Sequence, residues 1–346
     1  MIKASYKKHL LNFKTPSGTS RGILKTKETW FILLTDGVKQ GVGECGLFRG
    51  LSVDDKPEYE KRMKWVCDHI SLGLEKLLEE VYDFPSIQFG LEQAFLSLES
   101  VCEFELFPSD FTKGKQGIPI NGLVWMGEKD FMKSQITEKI EAGFSCIKIK
   151  IGAIDFETEM DMLKSIRKEF SEDDIEVRVD ANGGFSVKEA LEKLKRLSAL
   201  NIHSIEQPIA VKQFENMAEL CQKTPLPIAL DEELIGVFSE TNKQQVLQVI
   251  KPQYIILKPS LIGGFKGSKQ WIALAEKQAI GWWITSALES NIGLNAIAQF
   301  TSTLQNKMPQ GLGTGSLFTN NFESPLEVKK GTLQYNLAKS WNFNLE

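Results

Sequence analysis

The chain has 346 residues, 42% of them apolar, and a formal net charge of −4 with both signs interspersed. That length suits one large catalytic domain with a smaller companion, and the mixed charge argues against a nucleic-acid partner. Cys45, Cys67, Cys102, Cys146 and Cys221 are scattered without a C-x-x-C pair; with no signal segment and no apolar run near ~18 residues, a reducing cytoplasmic setting away from membranes is expected.

Residues 1–115 are expected to form an α+β capping domain. Residues 30–37 and 40–46 read as strands, and residues 56–81 and 87–104 as helices, with Trp65, Ile70 and Leu74 recurring at helical intervals. The stretches 15–22 and 48–52 are polar and glycine-bearing, as lid loops or ordinary surface turns would be.

From residue 116 to 315 the pattern changes to alternation. Strands are expected at 118–124, 147–151, 176–181, 203–207, 227–231, 254–258, 281–286 and 310–315. Helices are expected at 128–142, 155–170, 187–199, 212–222, 241–250, 268–279 and 292–304. About eight strands separated by helices predict an α/β fold of the modified (β/α) TIM-type barrel kind. An open doubly wound sheet would want a glycine-rich phosphate turn, and no G-x-G-x-x-G occurs. The tail, 316–346, loses the rhythm and is expected to return to the first domain.

The predicted strands end in ionisable residues. Asp180, Glu206 and Asp231 close three successive strands, 26 and 25 residues apart, about one βα unit each, so they would be neighbours on one rim. Three carboxylates in a partly buried mouth need a counter-charge, and Mg²⁺ favours oxygen ligands while leaving positions open for substrate. A solvated acid, or acidic capping at Asp231-Glu232-Glu233, is the bland alternative for any one of them. Lys148 and Lys150 share one strand face, as do Arg178 and Asp180. Lys150 and Lys258 would flank the carboxylates, partly neutral near pH 7 if desolvation and a dication outweigh the acids, or held in salt bridges. Such parts suit removal of a proton beside a carboxylate, with the charge built on the carboxylate oxygens stabilised by a metal.

With these residues in view, the sequence resembles the enolase superfamily, in its muconate-lactonising-enzyme-like branch. The motifs are Lys148-Ile149-Lys150, Asp180-Ala181-Asn182, Ile205-Glu206-Gln207-Pro208, Leu230-Asp231-Glu232 and Leu257-Lys258-Pro259. The resemblance implies Asp180, Glu206 and Asp231 as Mg²⁺ ligands (Mn²⁺ substituting), Lys150 and Lys258 as catalytic lysines, and Lys148 beside the substrate carboxylate. Residues 286–294 are similar to the seventh-strand signature of o-succinylbenzoate synthases, and residues 121–127, 311–315 and 319–321 to the version in Bacteroidetes-type members of that family. This implies a syn dehydration of a cyclohexadiene carboxylate in menaquinone synthesis, with Arg178, Asn182, Ser286 and Glu289 as further substrate-binding candidates. For Ser286 and Glu289 a helix N-cap and its first-turn acid are the alternative reading.

N-acylamino acid racemases and dipeptide epimerases share the scaffold. Members that combine racemisation with the synthase activity tend to carry an arginine where this chain has Leu261, and dipeptide epimerases a D-x-D near the eighth strand, where this chain has Gly313-Thr314-Gly315. A non-catalytic binding barrel is the remaining alternative; nothing physical would keep mutually repelling carboxylates at one mouth in such a protein.

Overall fold

In the computed structural model, residues 1–19, 22–125, 129–152 and 154–345 are described. Ser20 and Arg21 of the expected lid loop, and Met126 and Gly127 of the 121–127 motif, lie outside the described residues.

The N-terminal part is an antiparallel sheet of β1 (Lys3–Thr19), β2 (Gly22–Thr35) and β3 (Gln40–Cys45), ordered β1-β2-β3. Helices α1 (Tyr59–Asp68), α2 (Leu74–Glu80) and α3 (Pro85–Glu99) follow. Trp30, Ile32 and Leu34 alternate on one face of β2 and pack with Tyr59 and Met63 of α1 and Leu91 of α3, as a half-buried strand requires. The expected helix 56–81 is divided, because Gly73 adopts φ 78 ahead of α2. Most of the expected lid loop 15–22 is strand, since β1 runs to Thr19 and β2 begins at Gly22.

Seven parallel strands form the second sheet: β5 (Gly122–Val124), β6 (Cys146–Lys150), β7 (Glu176–Asp180), β8 (Ser204–Glu206), β9 (Ile228–Leu230), β10 (Tyr254–Leu257) and β11 (Gly281–Ile284), paired in chain order. The ring closes through two parallel bridges, Thr285 with Gly311 and Ile120 with Gln310. The expected eighth strand, 310–315, is thus a two-residue contact. The expected first strand, 118–124, is split into β4 (Ile118–Pro119) and β5. On the outside lie α4 (Lys129–Glu141), α5 (Phe156–Glu169), α6 (Val187–Ser198), α7 (Phe214–Lys223), α8 (Glu240–Ile250), the short α9 (Pro259–Ile262), α10 (Gly264–Glu276) and α11 (Asn291–Thr303). Helix α6 shows why: Ala190, Leu194 and Leu197 are buried at i, i+4 and i+7, with Glu189 in its first turn and Lys195 and Arg196 in its last. The expected α/β barrel with an α+β N-terminal part is the observed architecture.

The tail contacts both parts. Strand β12 (Leu326–Lys329) pairs with β13 (Thr332–Tyr335), and β13 with β4. Phe318 bridges Phe13 of β1, and Phe343 packs on Phe31 of β2.

Candidate active site

Because β6 to β10 are parallel, their C-terminal ends meet on one rim. The register sets Lys150 opposite Asp180 and Asp180 opposite Glu206, while Asp231 and Lys258 immediately follow β9 and β10. A cavity at this rim is lined by Lys148, Lys150, Asp180, Asn182, Glu232 and Lys258, with Ser286 and Thr314 on the far wall and Phe48 and Leu51 reaching in from the N-terminal part. Lys148 Nζ donates to Glu206 Oε2 and lies 2.9 Å from Asp180 Oδ2. Lys150 Nζ donates to Asn182 Oδ1 at 2.6 Å and to Asp180 Oδ2 at 3.2 Å. Lys258 Nζ donates to Asp231 Oδ2, and Asn182 Nδ2 to Glu232 Oε1 at 3.0 Å. Asn182 and Gln207, each just past a strand-end acid, hold φ of 43° and 40°. Left-handed backbone outside glycine is uncommon, and functional sites concentrate it.

Burial and charge act in opposite senses here. Burial would raise Asp180, but the ammonium groups of Lys148 and Lys150 hold it well below the carboxylate range. Glu206 goes the other way: burial and then the neighbouring Asp180 charge push it up to about 8. Burial opposes the charged form of Lys258, yet Asp231 and Glu206 outweigh it and raise the group. Of the two alternatives expected for Lys258, its geometry shows the salt bridge, to Asp231, and that pair favours the ammonium.

The three strand-end acids differ from the simplest expectation in one respect. Among the described residues, no three His, Cys, Asp or Glu side chains converge tightly enough to hold an ion as they stand; lysine ammonium groups sit against the carboxylates instead. The donor chemistry still fits a hard cation. All three groups are buried carboxylates, and Glu206 Oε1 is buried with no hydrogen-bond partner, an oxygen that burial leaves in want of a positive ligand. Asp231 makes no side-chain cap to the turn that follows it, so capping does not account for it.

The remaining candidates separate. Ser286 lines the cavity; its Oγ donates to Glu289 Oε2 at 2.5 Å and accepts from Thr314 Oγ1 at 3.0 Å. Glu289 is fully buried behind it, and Ser290, not Ser286, caps α11, which removes the capping alternative for Ser286. Arg178 does not belong to the mouth, and that expectation is corrected. It is buried deeper in the barrel, with Nε donating to Glu176 at 2.6 Å, Nη1 to Pro309 O at 2.9 Å, and the guanidinium 4.2 Å from the Trp283 ring. Sharing a face with Asp180 was correct; two residues of strand, roughly 7 Å, put it a layer below. Sequence reasoning missed Thr314 as a wall residue, and Glu44, whose carboxylate crosses from β3 to the start of α11. A carboxylate within the otherwise apolar and glycine run 41–45 of β3 was the signal available for Glu44.

The family model described as enolase C-terminal domain-like matches residues 132–338. The o-succinylbenzoate synthase of Desulfotalea psychrophila is 47% identical over 96% of this chain and 98% of its own. The chain belongs to the enolase superfamily. Within it, the crystal structure of MenC from Desulfotalea psychrophila LSv54 superposes with a TM-score of 0.86 at 44% identity, covering 96% of this chain and 99% of that one. A dipeptide epimerase from Enterococcus faecalis V583, solved with Mg and a dipeptide, superposes at 0.82 with 18% identity over 97% of both chains, a likeness of fold. Among the described residues, no helix of this superfamily member is long and apolar enough to cross a membrane.

Proposed function

We propose that the chain is an o-succinylbenzoate synthase, dehydrating 2-succinyl-6-hydroxy-2,4-cyclohexadiene-1-carboxylate in the cytoplasm on the route to menaquinone. The observation that carries the reading is that Lys150 and Lys258, from strands four apart in the ring, line one cavity, each paired with a buried strand-end carboxylate, Asp180 and Asp231. The near full-length likeness to a synthase supports the substrate.

In this mechanism Lys150 takes the proton alpha to the substrate carboxylate, and the C–H electron pair moves into that carboxylate as an enediolate. The bonds from Lys150 to Asn182 and Asp180 aim its amine. As the enediolate collapses, the ring hydroxyl departs, takes the proton back from Lys150 and leaves as water, and the ring becomes aromatic. One lysine serving both steps makes the elimination syn. The Lys258 ammonium stabilises the anion from the other side, and Lys148 places positive charge by the carboxylate. Asp180, Glu206 and Asp231 would hold Mg²⁺, or Mn²⁺ in its place, which when bound supplies charge that makes the carbon acid more acidic. Ser286 and Asn182 contact substrate, Glu289 acts through Ser286, and residues 1–115 close the mouth through Phe48 and Leu51.

Two lysines about one carbon could also serve racemisation. Against it, Leu261 is fully buried, and Gly313 and Thr314 bring no carboxylate to the cavity wall. Purified protein given the cyclohexadiene substrate, beside a parallel N-succinylamino acid racemisation assay, separates the two. Loss of the cyclohexadiene absorbance at a rate well above racemisation is expected, and racemisation alone would transfer the chain to the other activity.

A further inference from the structure

Glu44 lies in the middle of a buried hydrogen-bond network that the chemistry above does not use. Its side chain is fully buried on β3. Oε1 accepts from Thr29 Oγ1 at 2.7 Å and from Ser290 N at 2.9 Å; Oε2 accepts from Ser290 Oγ at 2.5 Å and Gly293 N at 2.8 Å. Gln93 of α3 brackets its backbone, donating to Glu44 O at 2.9 Å and accepting from Glu44 N at 3.3 Å. One carboxylate from the N-terminal sheet therefore completes the first turn of a barrel helix.

Glu289, the residue before the cap Ser290, carries the connection to the cavity. Its Oε1 accepts from Ser260 Oγ at 2.5 Å, and its Oε2 from Ser286 Oγ at 2.5 Å and Ala287 N at 2.8 Å. Ser260 stands two residues after Lys258, and Ser286 is on the cavity wall. There is little slack: a Cβ at Gly293 would stand 2.8 Å from Glu289 Cβ and 2.9 Å from Glu44 Oε2. Burial holds the Lys27 amine below the usual lysine range, against the charges of both carboxylates.

We propose that Glu44 is a positioning residue for the reaction: it fixes the start of α11, and through Glu289 sets both the Ser286 wall and the segment that follows Lys258. The proposal rests on the dehydratase reading for the step it serves. Replacing Glu44 by Gln keeps the volume but turns an NH₂ donor toward donors that now have an acceptor, so Ser290 and Gly293 must shift. A displacement near 1 Å at reacting groups lowers turnover on the order of 10²-fold.

The test is Glu44→Gln in the full chain, read by two measurements: kcat of the Mg²⁺-loaded protein, and amide hydrogen exchange of peptides over 286–294 against peptides over 187–198. Expected are a kcat at least tenfold lower and exchange at least tenfold faster over 286–294, with the 187–198 segment unchanged. Faster exchange with kcat within twofold of the parent makes Glu44 merely structural and overturns the proposal. So does a lower kcat with unchanged exchange. If Glu44→Gln does not fold, Ser290→Ala decides on the same two readouts, with changes of at least threefold expected and parental values overturning. If the parent protein shows no dehydration, it is the functional reading that fails, and the exchange arm still decides whether Glu44 holds the 286–294 segment.

Discussion

In the proposed mechanism, Lys150 is the side chain on which the chemistry turns. Its two bonds, to Asn182 and Asp180, orient the amine toward the cavity, and neither belongs to Glu206 or Asp231. Lys150→Ala should lower kcat by about 10²–10⁴-fold, the range of general-base contributions, while calorimetry finds Mg²⁺ affinity within a few-fold of the parent. Appreciable residual dehydration would move the role to another group. A second lysine makes a prediction about stability. Lys243 is buried, with Gln270 Oε1 2.7 Å from its Nζ, and burial lowers it to about 8. Between pH 8 and 10.5 the unfolded chain binds the proton that the folded one has lost, so stability rises with pH there. Lys243→Met removes that dependence. The stability gap between variant and parent should shift in the parent's favour from pH 7 to 11 by up to about 3 kcal/mol, measured by denaturant melts; a pH-independent gap would refute the buried-ammonium account. At this scale the sequence was readable where position decides which side chains meet, as for Lys150 and Asp180 at neighbouring strand ends. It was not readable where depth along a strand decides access, as for Arg178, or where a partner 246 residues away completes a network, as for Glu44 and Ser290.

Among the elements, the parallel strands β6 to β10 were legible because each is short, rich in strand-forming residues and ends in or is followed at once by a charge, as in Tyr254–Leu257 before Lys258. Strand β1 was not, since Tyr6-Lys7-Lys8-His9 breaks any apolar alternation and its pairing with β2, not its own composition, makes it a strand. The closing contact at 310–311 is too short to leave a pattern. Packing between elements gives two predictions. Strand β3 touches α3 so closely that a Cβ on Gly43 would stand 1.9 Å from Gly90 O. Gly43→Ala should therefore destabilise by about 3 kcal/mol or more, by analogy with overpacked cores, read as a lowered melting midpoint; an unchanged midpoint would show that the two elements can separate. Glu92 of α3 accepts from Phe265 N and from Lys266 N at 2.9 Å, serving the first turn of α10 as Glu44 serves α11. Glu92→Ala should cost about 1–2 kcal/mol, the range for a lost N-cap, in the same melting experiment.

Over the whole molecule, two buried carboxylates, Glu44 and Glu92, help tie the N-terminal part to the barrel, and among the described residues it reaches the cavity through Phe48 and Leu51. The tail adds Phe343 against β2 and β13 against β4. The barrel architecture was legible from the βα repeat; how its ring closes and how the tail divides its contacts depend on pairings far apart in sequence. What unites the parts is one rim where buried carboxylates, a cation and two lysines would act on a single carbon acid. The most direct measurement is cyclohexadiene absorbance under turnover with Mg²⁺, after EDTA, and after Mg²⁺ or Mn²⁺ is restored. The account predicts conversion, arrest and recovery in that order; undiminished turnover in EDTA, or no conversion under any metal, would contradict it.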